Sequence, residues 1–212
     1  AKLLGRQAGA TLDTVVRNVL HSGTNVMYAE KKTDAGTEEV LSRADLAENC
    51  VITVELIQRA VAKLRAQNAP TINGKYVGIV HPYVAYDLMR DPEWIDAHKY
   101  AQPENLYEGE IGEIAGVRFV QTTEAKIYGS ENGLAVFGTL ILGDGAYGVT
   151  EVNGGGLEII VKQRGSSGAA DPLDQRSSVG WKAIKTAELL IENYLVRIES
   201  VSPRFSASAK EN

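Results

Sequence analysis

Apolar residues recur at helical spacing in two stretches of this chain and at strand spacing in several others. Leu12, Val15, Val16, Val19 and Leu20 follow the i, i+3, i+4, i+7, i+8 rule and Gly23 supplies a stop, so residues 11–21 predict an amphipathic helix. A second helix is expected over 54–68, where Thr53 is the cap, Val54, Ile57, Ala60, Val61 and Leu64 form a stripe, and Asn68-Ala69-Pro70 ends it. Apolar runs predict strands at 76–80 after Asn73-Gly74, at 117–122 after Gly116, at 134–142, and at 157–163. The block 179–201 is ambiguous. Ile184, Ala187, Leu190 and Ile191 suit a helix, whereas Val179, Trp181 and Ala183 alternate as a strand and 194–201 has strand composition; we adopt strand, turn, strand. Residues 24–41 are polar, carry Asp34-Ala35-Gly36, and predict an exposed loop or a mobile hairpin. The segment 164–178, RGSSGAADPLDQRSS, is a loop by composition, and the end after Pro203 has the composition of a disordered tail.

The stretch YVGIVHPYVAYDLMRDPEWIDAHKY, residues 76–100, holds two of the three histidines among aspartates and aromatics, which raises the question of an active site. Its spacing answers in structural terms. His81-Pro82 and Asp91-Pro92 each place proline at the first helical position with a capping residue just before it, and Trp94, Ile95 and His98 are expected on one helix face. A shared metal on Asp91, Asp96 and His98 fits poorly, because Asp96 and His98 are two apart and do not converge on a helix. His81 as a general base lacks an activated partner, since neither G-x-S-x-G nor a cysteine–histidine signature occurs. A small hydrolase or metal-dependent enzyme centred on His81, Asp87, Asp91 and His98 stands as the alternative to a structural role.

The other candidates read in the same way. His21, before Ser22-Gly23, is expected to complement a helix dipole, and Cys50 to be buried at a helix start. Glycines 154–156 lack phosphate-loop spacing and predict a turn into the strand LEIIVKQ. Glu108, Glu110 and Glu113 are expected as solvated loop charges. No catalytic, cofactor-binding or metal-ligating residue is therefore assigned.

Composition narrows the classes further. A chain of 212 residues buries about 70% of its unfolded surface and needs no staples. One cysteine excludes an internal disulfide and a multi-cysteine zinc site, which fits a reducing cytoplasm. Lys and Arg number 22 against 27 Asp and Glu, a net charge of −5, with no basic cluster longer than Lys31-Lys32, so a phosphate-tracking nucleic-acid surface is not expected. No apolar run approaches the ~20 residues of a spanning helix, and AKLLGRQAGA has no signal-peptide core. The chain opens without methionine inside helix-like sequence, which suggests a piece of something longer.

Three blocks in order carry a family likeness: GRQAGATLDTVVRNVLHSGTNVMYA, HPYVAYDLMRDPEWIDAHKYAQPENLYEGEIGEIAGVRFVQTTEAKIY, and GAADPLDQRSSVGWKA with YLVRIES. From Gly5 to about Ser200 the chain resembles the major capsid proteins of tailed bacteriophages, specifically the phage N4 type. The resemblance implies an α+β fold of the Hong Kong 97 kind. It implies a peripheral domain of 1–69 and 150–186, with 54–68 as spine helix beside the strands 157–163 and 178–185. It also implies an axial domain of 70–149 and 187–203, with 204–212 a disordered tail. Family members carry an N-terminal arm and an extended loop ahead of the segment matching Gly5, and the chain is expected to lack both. The function implied is that of a non-enzymatic coat subunit without cofactors. It would associate with copies of itself as hexamers and pentamers in an icosahedral head around double-stranded DNA, with scaffolding and portal proteins as further partners. Its place would be the virion, after assembly in the bacterial cytoplasm.

Overall fold

The computed structural model describes residues 2–33, 36–99, 111–129, 133–150, 155–166, 173 and 175–212, with side chains described except at 97–99. A helix, α1 (Lys2–Leu20), leads into the edge strand β1 (Val26–Tyr28) and the hairpin of β2 (Lys31–Thr33) and β3 (Gly36–Glu38). Then come α2 (Val54–Ala66), β4 (Tyr76–Val80), α3 (Pro82–Met89) and α4 (Pro92–Lys99). The strands β5 (Glu113–Ile114), β6 (Val117–Gln121), β7 (Ile127–Tyr128), β8 (Val136–Leu142) and β9 (Tyr147–Val149) follow. The chain closes with β10 (Glu158–Lys162), β11 (Ser178–Lys182), β12 (Ala187–Leu189) and β13 (Leu195–Val201).

Seven strands form the main sheet in the order β1-β13-β8-β4-β6-β5, with β7 also on β8. Its centre is the antiparallel pair β8 and β13, registered from Leu195 opposite Leu142 to Val201 opposite Val136. Every residue of both strands is buried; β8 accordingly reads as a nearly continuous apolar run, whereas β13 also buries Arg197, Glu199 and Ser200. Three two-stranded pairs stand apart: β9 with β12, β10 with β11, and β2 with β3.

One sheet face is covered by α2, α3 and α4. The α2 stripe Val54, Ile57, Ala60, Val61 and Leu64 is wholly buried in one core with Val84, Leu88, Tyr76, Phe137 and Ile198, and Trp94 of α4 meets the Phe119 ring edge-on. Thr53 caps α2 as its sequence implies, accepting from the Leu56 N–H at 3.3 Å. On the other face, the end of α1 brings Leu20 and Val16 onto Leu140, Leu142 and Leu195.

Several expectations change. The first helix begins at Lys2 and not at 11, and the second ends at Ala66 and not 68, where Asn68 turns left-handed at φ 55°. That second helix was expected against 157–163 and 178–185. Its stripe instead faces the main sheet, and it is α1 that lies beside β11 and β12. An apolar stripe says that a helix face is buried but not against what. Residues 26–28, expected within an exposed loop or a mobile hairpin, join the sheet parallel to β13, while β2 and β3 pair antiparallel; Asp34 and Ala35 lie outside the described residues. The expected strand, turn, strand at the end gains β12 between its two strands. Residues 204–212, expected as a disordered tail, pack back on the protein: Phe205 stacks on Tyr83 at 4.2 Å, and the Asn212 side chain accepts from the Ile127 N–H at 2.9 Å. On α4, Trp94 is buried but Ile95 is exposed, so the two do not share a buried face; the His98 side chain lies outside the described residues.

Candidate assembly surface

His81, Asp87 and Asp91 take up structural positions. The His81 Nδ1 accepts from the Tyr83 N–H at 3.2 Å as the cap of α3, and its ring lies 5.0 Å from Phe137; burial lowers its pKa. Asp91 serves two helices, accepting from Glu93 N–H at 3.0 Å with Oδ1 and from Val54 N–H at 3.1 Å with Oδ2. Asp87 lies half-buried on α3, and burial pushes its carboxyl up. Among the described residues no group of three or more His, Cys, Asp or Glu side chains is placed to hold a metal ion. Cys50 is buried in the loop before α2, its Sγ accepting from the Ala47 N–H at 3.3 Å. Glu113 pairs with Lys75; Glu108, Glu110, Gly154 and most of 167–174 lie outside the described residues. These placements give the enzyme alternative no support.

One polar cluster had no signal in the sequence. Glu199, wholly buried on β13, accepts from Arg43 Nε at 2.7 Å and Nη2 at 2.6 Å, and from Arg197 Nε at 2.9 Å. Its hydrogen bonds raise the Arg43 pKa further. The Arg43 Cζ also lies over the Tyr128 ring, 3.8 Å from its centroid. Arg197 Nη1 donates to the carbonyls of His21 and Gly23, and so holds the end of α1 to the sheet. His21 does not serve the helix dipole as a cation. It is buried, hydrogen-bonded to the Tyr128 hydroxyl at 2.9 Å, and burial first, then Arg197, lowers its pKa to about 3. Gly138 makes room for it, because a Cβ there would lie 2.6 Å from His21 Cε1. Residues far apart in sequence meet here, and no spacing rule finds them.

The outer surface differs at β10 and β11. Ile159 pairs with Trp181 and Val161 with Val179, so these four side chains share one face of the hairpin, extended by Leu157 two residues before Ile159. Leu157, Ile159, Val161 and Val179 are each 46–60% exposed. A two-stranded hairpin is marginal in water by itself, and a contiguous exposed apolar patch marks a contact site. Leu190, at 62% exposed, and Ile184 add to the apolar surface nearby in sequence. The chemistry available here is burial against another apolar surface.

The sequence profile described as phage capsid protein matches residues 1–140. The chain belongs to that family. No curated protein sequence matches it. Its fold is similar to that in the head structure of Helicobacter pylori bacteriophage KHP40, with TM-score 0.65 at 13% identity over 94% of this chain and 67% of that one. A chain of Mycobacterium phage Che8 superposes with TM-score 0.61 at 14% identity, over 92% of this chain and 60% of that one. The capsid of cyanophage P-SCSP1u gives 0.61 at 13% identity, over 92% and 62%. The capsid protein described here thus has a mixed α+β fold of the phage capsid kind and spans 60–62% of the length of the Che8 and P-SCSP1u chains. No helix among the described residues of this capsid protein is long and apolar enough to cross a membrane.

Proposed function

We propose that this chain is the shell-forming subunit, the major capsid protein, of a tailed phage or prophage, and that its work is association with copies of itself, not catalysis. The observation that carries the reading is the exposed apolar face of Leu157, Ile159, Val161 and Val179 on a chain of capsid family and fold. Different patches of one chain meeting head to tail would close rings, giving the hexamers and pentamers of an icosahedral head around double-stranded DNA. Scaffolding and portal proteins would be its further partners, the virion its place, and the bacterial cytoplasm the site of assembly. Within the Hong Kong 97 and N4-type scheme, we assign the peripheral role to α1 with β9 to β12, because α1 lies beside β11 and β12. The axial role goes to the seven-stranded sheet with α2 to α4. This departs from a spine at 54–68, since that helix faces the sheet core. Light scattering and negative-stain microscopy at rising protein concentration test the function: rings or shells are expected, and a monomer at every concentration would overturn it.

A further inference from the structure

The sheet edge at β1 is open on the side away from β13. The Asn25 carbonyl accepts from Arg197 N–H at 3.0 Å and Ala29 N–H donates to Glu199 at 2.9 Å, so the odd-numbered backbone groups of this strand face β13. By the alternation of a strand, the Tyr28 N–H and the Val26 and Tyr28 carbonyls point outward. The sequence Val-Met-Tyr puts no lysine or proline on this edge to discourage pairing. Beside it runs a groove of about 310 Å³ between β1 and α2, walled by Leu56, Arg59 and Lys63 and bordered by Leu41, which is 77% exposed. Arg59 pairs with Glu30 at the same groove, and Glu39 also lines it. Lys63 has no ion-pair partner among the described residues.

We propose that this groove receives β10 of a second copy as an added strand of the sheet, a contact that rests on the shell-forming reading. The strand β10 reads Glu158-Ile159-Ile160-Val161-Lys162, so one face presents Glu158, Ile160 and Lys162 in turn. The groove carries groups of the complementary kinds: Lys63, the apolar Leu56, and the carboxylates of Glu30 and Glu39, of which Glu30 is held by Arg59. Among the described residues β10 pairs only with β11, so its other edge is free to pair. Glu158 bonds to Lys182 at 2.9 Å within its own hairpin, but both side chains are more than half exposed, and exchanging such a partner costs little. Groove and strand are different parts of one chain, so repeating the contact builds a ring and not a closed pair.

Cysteines at both ends of the contact test it: Lys63→Cys with Glu158→Cys, the buried Cys50 being left in place. Oxidation of the assembled double variant should give a ladder of disulfide-linked species running beyond the dimer, and neither single variant should give it. The charge pair supplies a second measurement. Lys63→Glu should weaken association several-fold by sedimentation, and adding Glu158→Lys should restore it. Particles that form without a ladder and ignore the charge exchange would overturn the strand contact while leaving the shell reading intact. A parent chain that never assembles would overturn the shell reading and this contact with it.

Discussion

One carboxylate oxygen of Asp91 accepts from the backbone N–H of Val54, 37 positions earlier, while the other caps α4 through Glu93. A residue that reads in sequence as one helix cap is therefore a junction between two helix N-termini, where a negative charge also meets both helix dipoles. Asp91→Ala removes both bonds and should cost about 2 kcal/mol, twice a typical cap. Asp91→Asn, which keeps an accepting oxygen, should cost less than half as much. Chemical denaturation of the two variants measures the difference; equal losses would mean that the charge, not the caps, carries the effect.

Glu199 predicts a larger loss. Removing it strands Arg43 and Arg197 beside a buried site, and breaking a buried pair costs about 3–5 kcal/mol. Glu199→Gln should approach that range, whereas Glu38→Gln, at the exposed pair with Lys31, should stay within about 0.5 kcal/mol. Urea midpoints of the two variants against the parent give the comparison.

The buried imidazole of His21 makes stability depend on acid. Its folded pKa of about 3 lies below the ordinary 6.5, so the unfolded chain takes up a proton that the folded chain refuses. The contribution of His21 is complete above pH 6.5 and is lost as pH falls from there toward 3, at up to about 1.4 kcal/mol per pH unit. His81, lowered by burial, acts in the same direction. His21→Gln should therefore flatten the fall in stability between pH 6.5 and 5, where most carboxylates are still ionised. An unchanged slope would mean that the imidazole gains its proton while still buried.

Val61, 3% exposed, faces the main sheet from α2. Val61→Asp places an unpaired carboxylate in that core at a cost of several kcal/mol, against a total stability of about 5–15, so the protein should unfold or aggregate. A variant that melts like the parent would show that this face is not part of the core.

Local rules reached the caps at Thr53, His81 and Asp91 because a cap is written in two or three adjacent residues. The α2 stripe and the runs of β4 and β8 were equally legible, since burial on one or both faces leaves a period or an apolar run, whereas β13, with Arg197 and Glu199 inside it, lay in a block that read ambiguously. What covers each face was not legible. The stripe at Val61 carries no sign that its partner is the main sheet and not the β10–β11 hairpin. Val26 to Tyr28 lay hidden in polar surroundings because a three-residue edge strand has no period to show. Arg43 and Glu199 stand 156 positions apart, and only the fold makes them neighbours. The exposed face of Ile159 and Val161 was invisible for the opposite reason: the apolar run Ile159-Ile160-Val161 reads as an ordinary buried strand.

That face decides the central question, whether this chain works by joining copies of itself. Sedimentation velocity of the parent and of Ile159→Lys with Val161→Lys addresses it most directly, because both positions are about half exposed and the lysines should leave folding intact. We expect the parent to sediment as ring- or shell-sized species and the double variant, with an unchanged circular dichroism spectrum, as the 22.9 kDa chain. A double variant that assembles as readily as the parent, or a parent that never exceeds 22.9 kDa, would contradict the assignment.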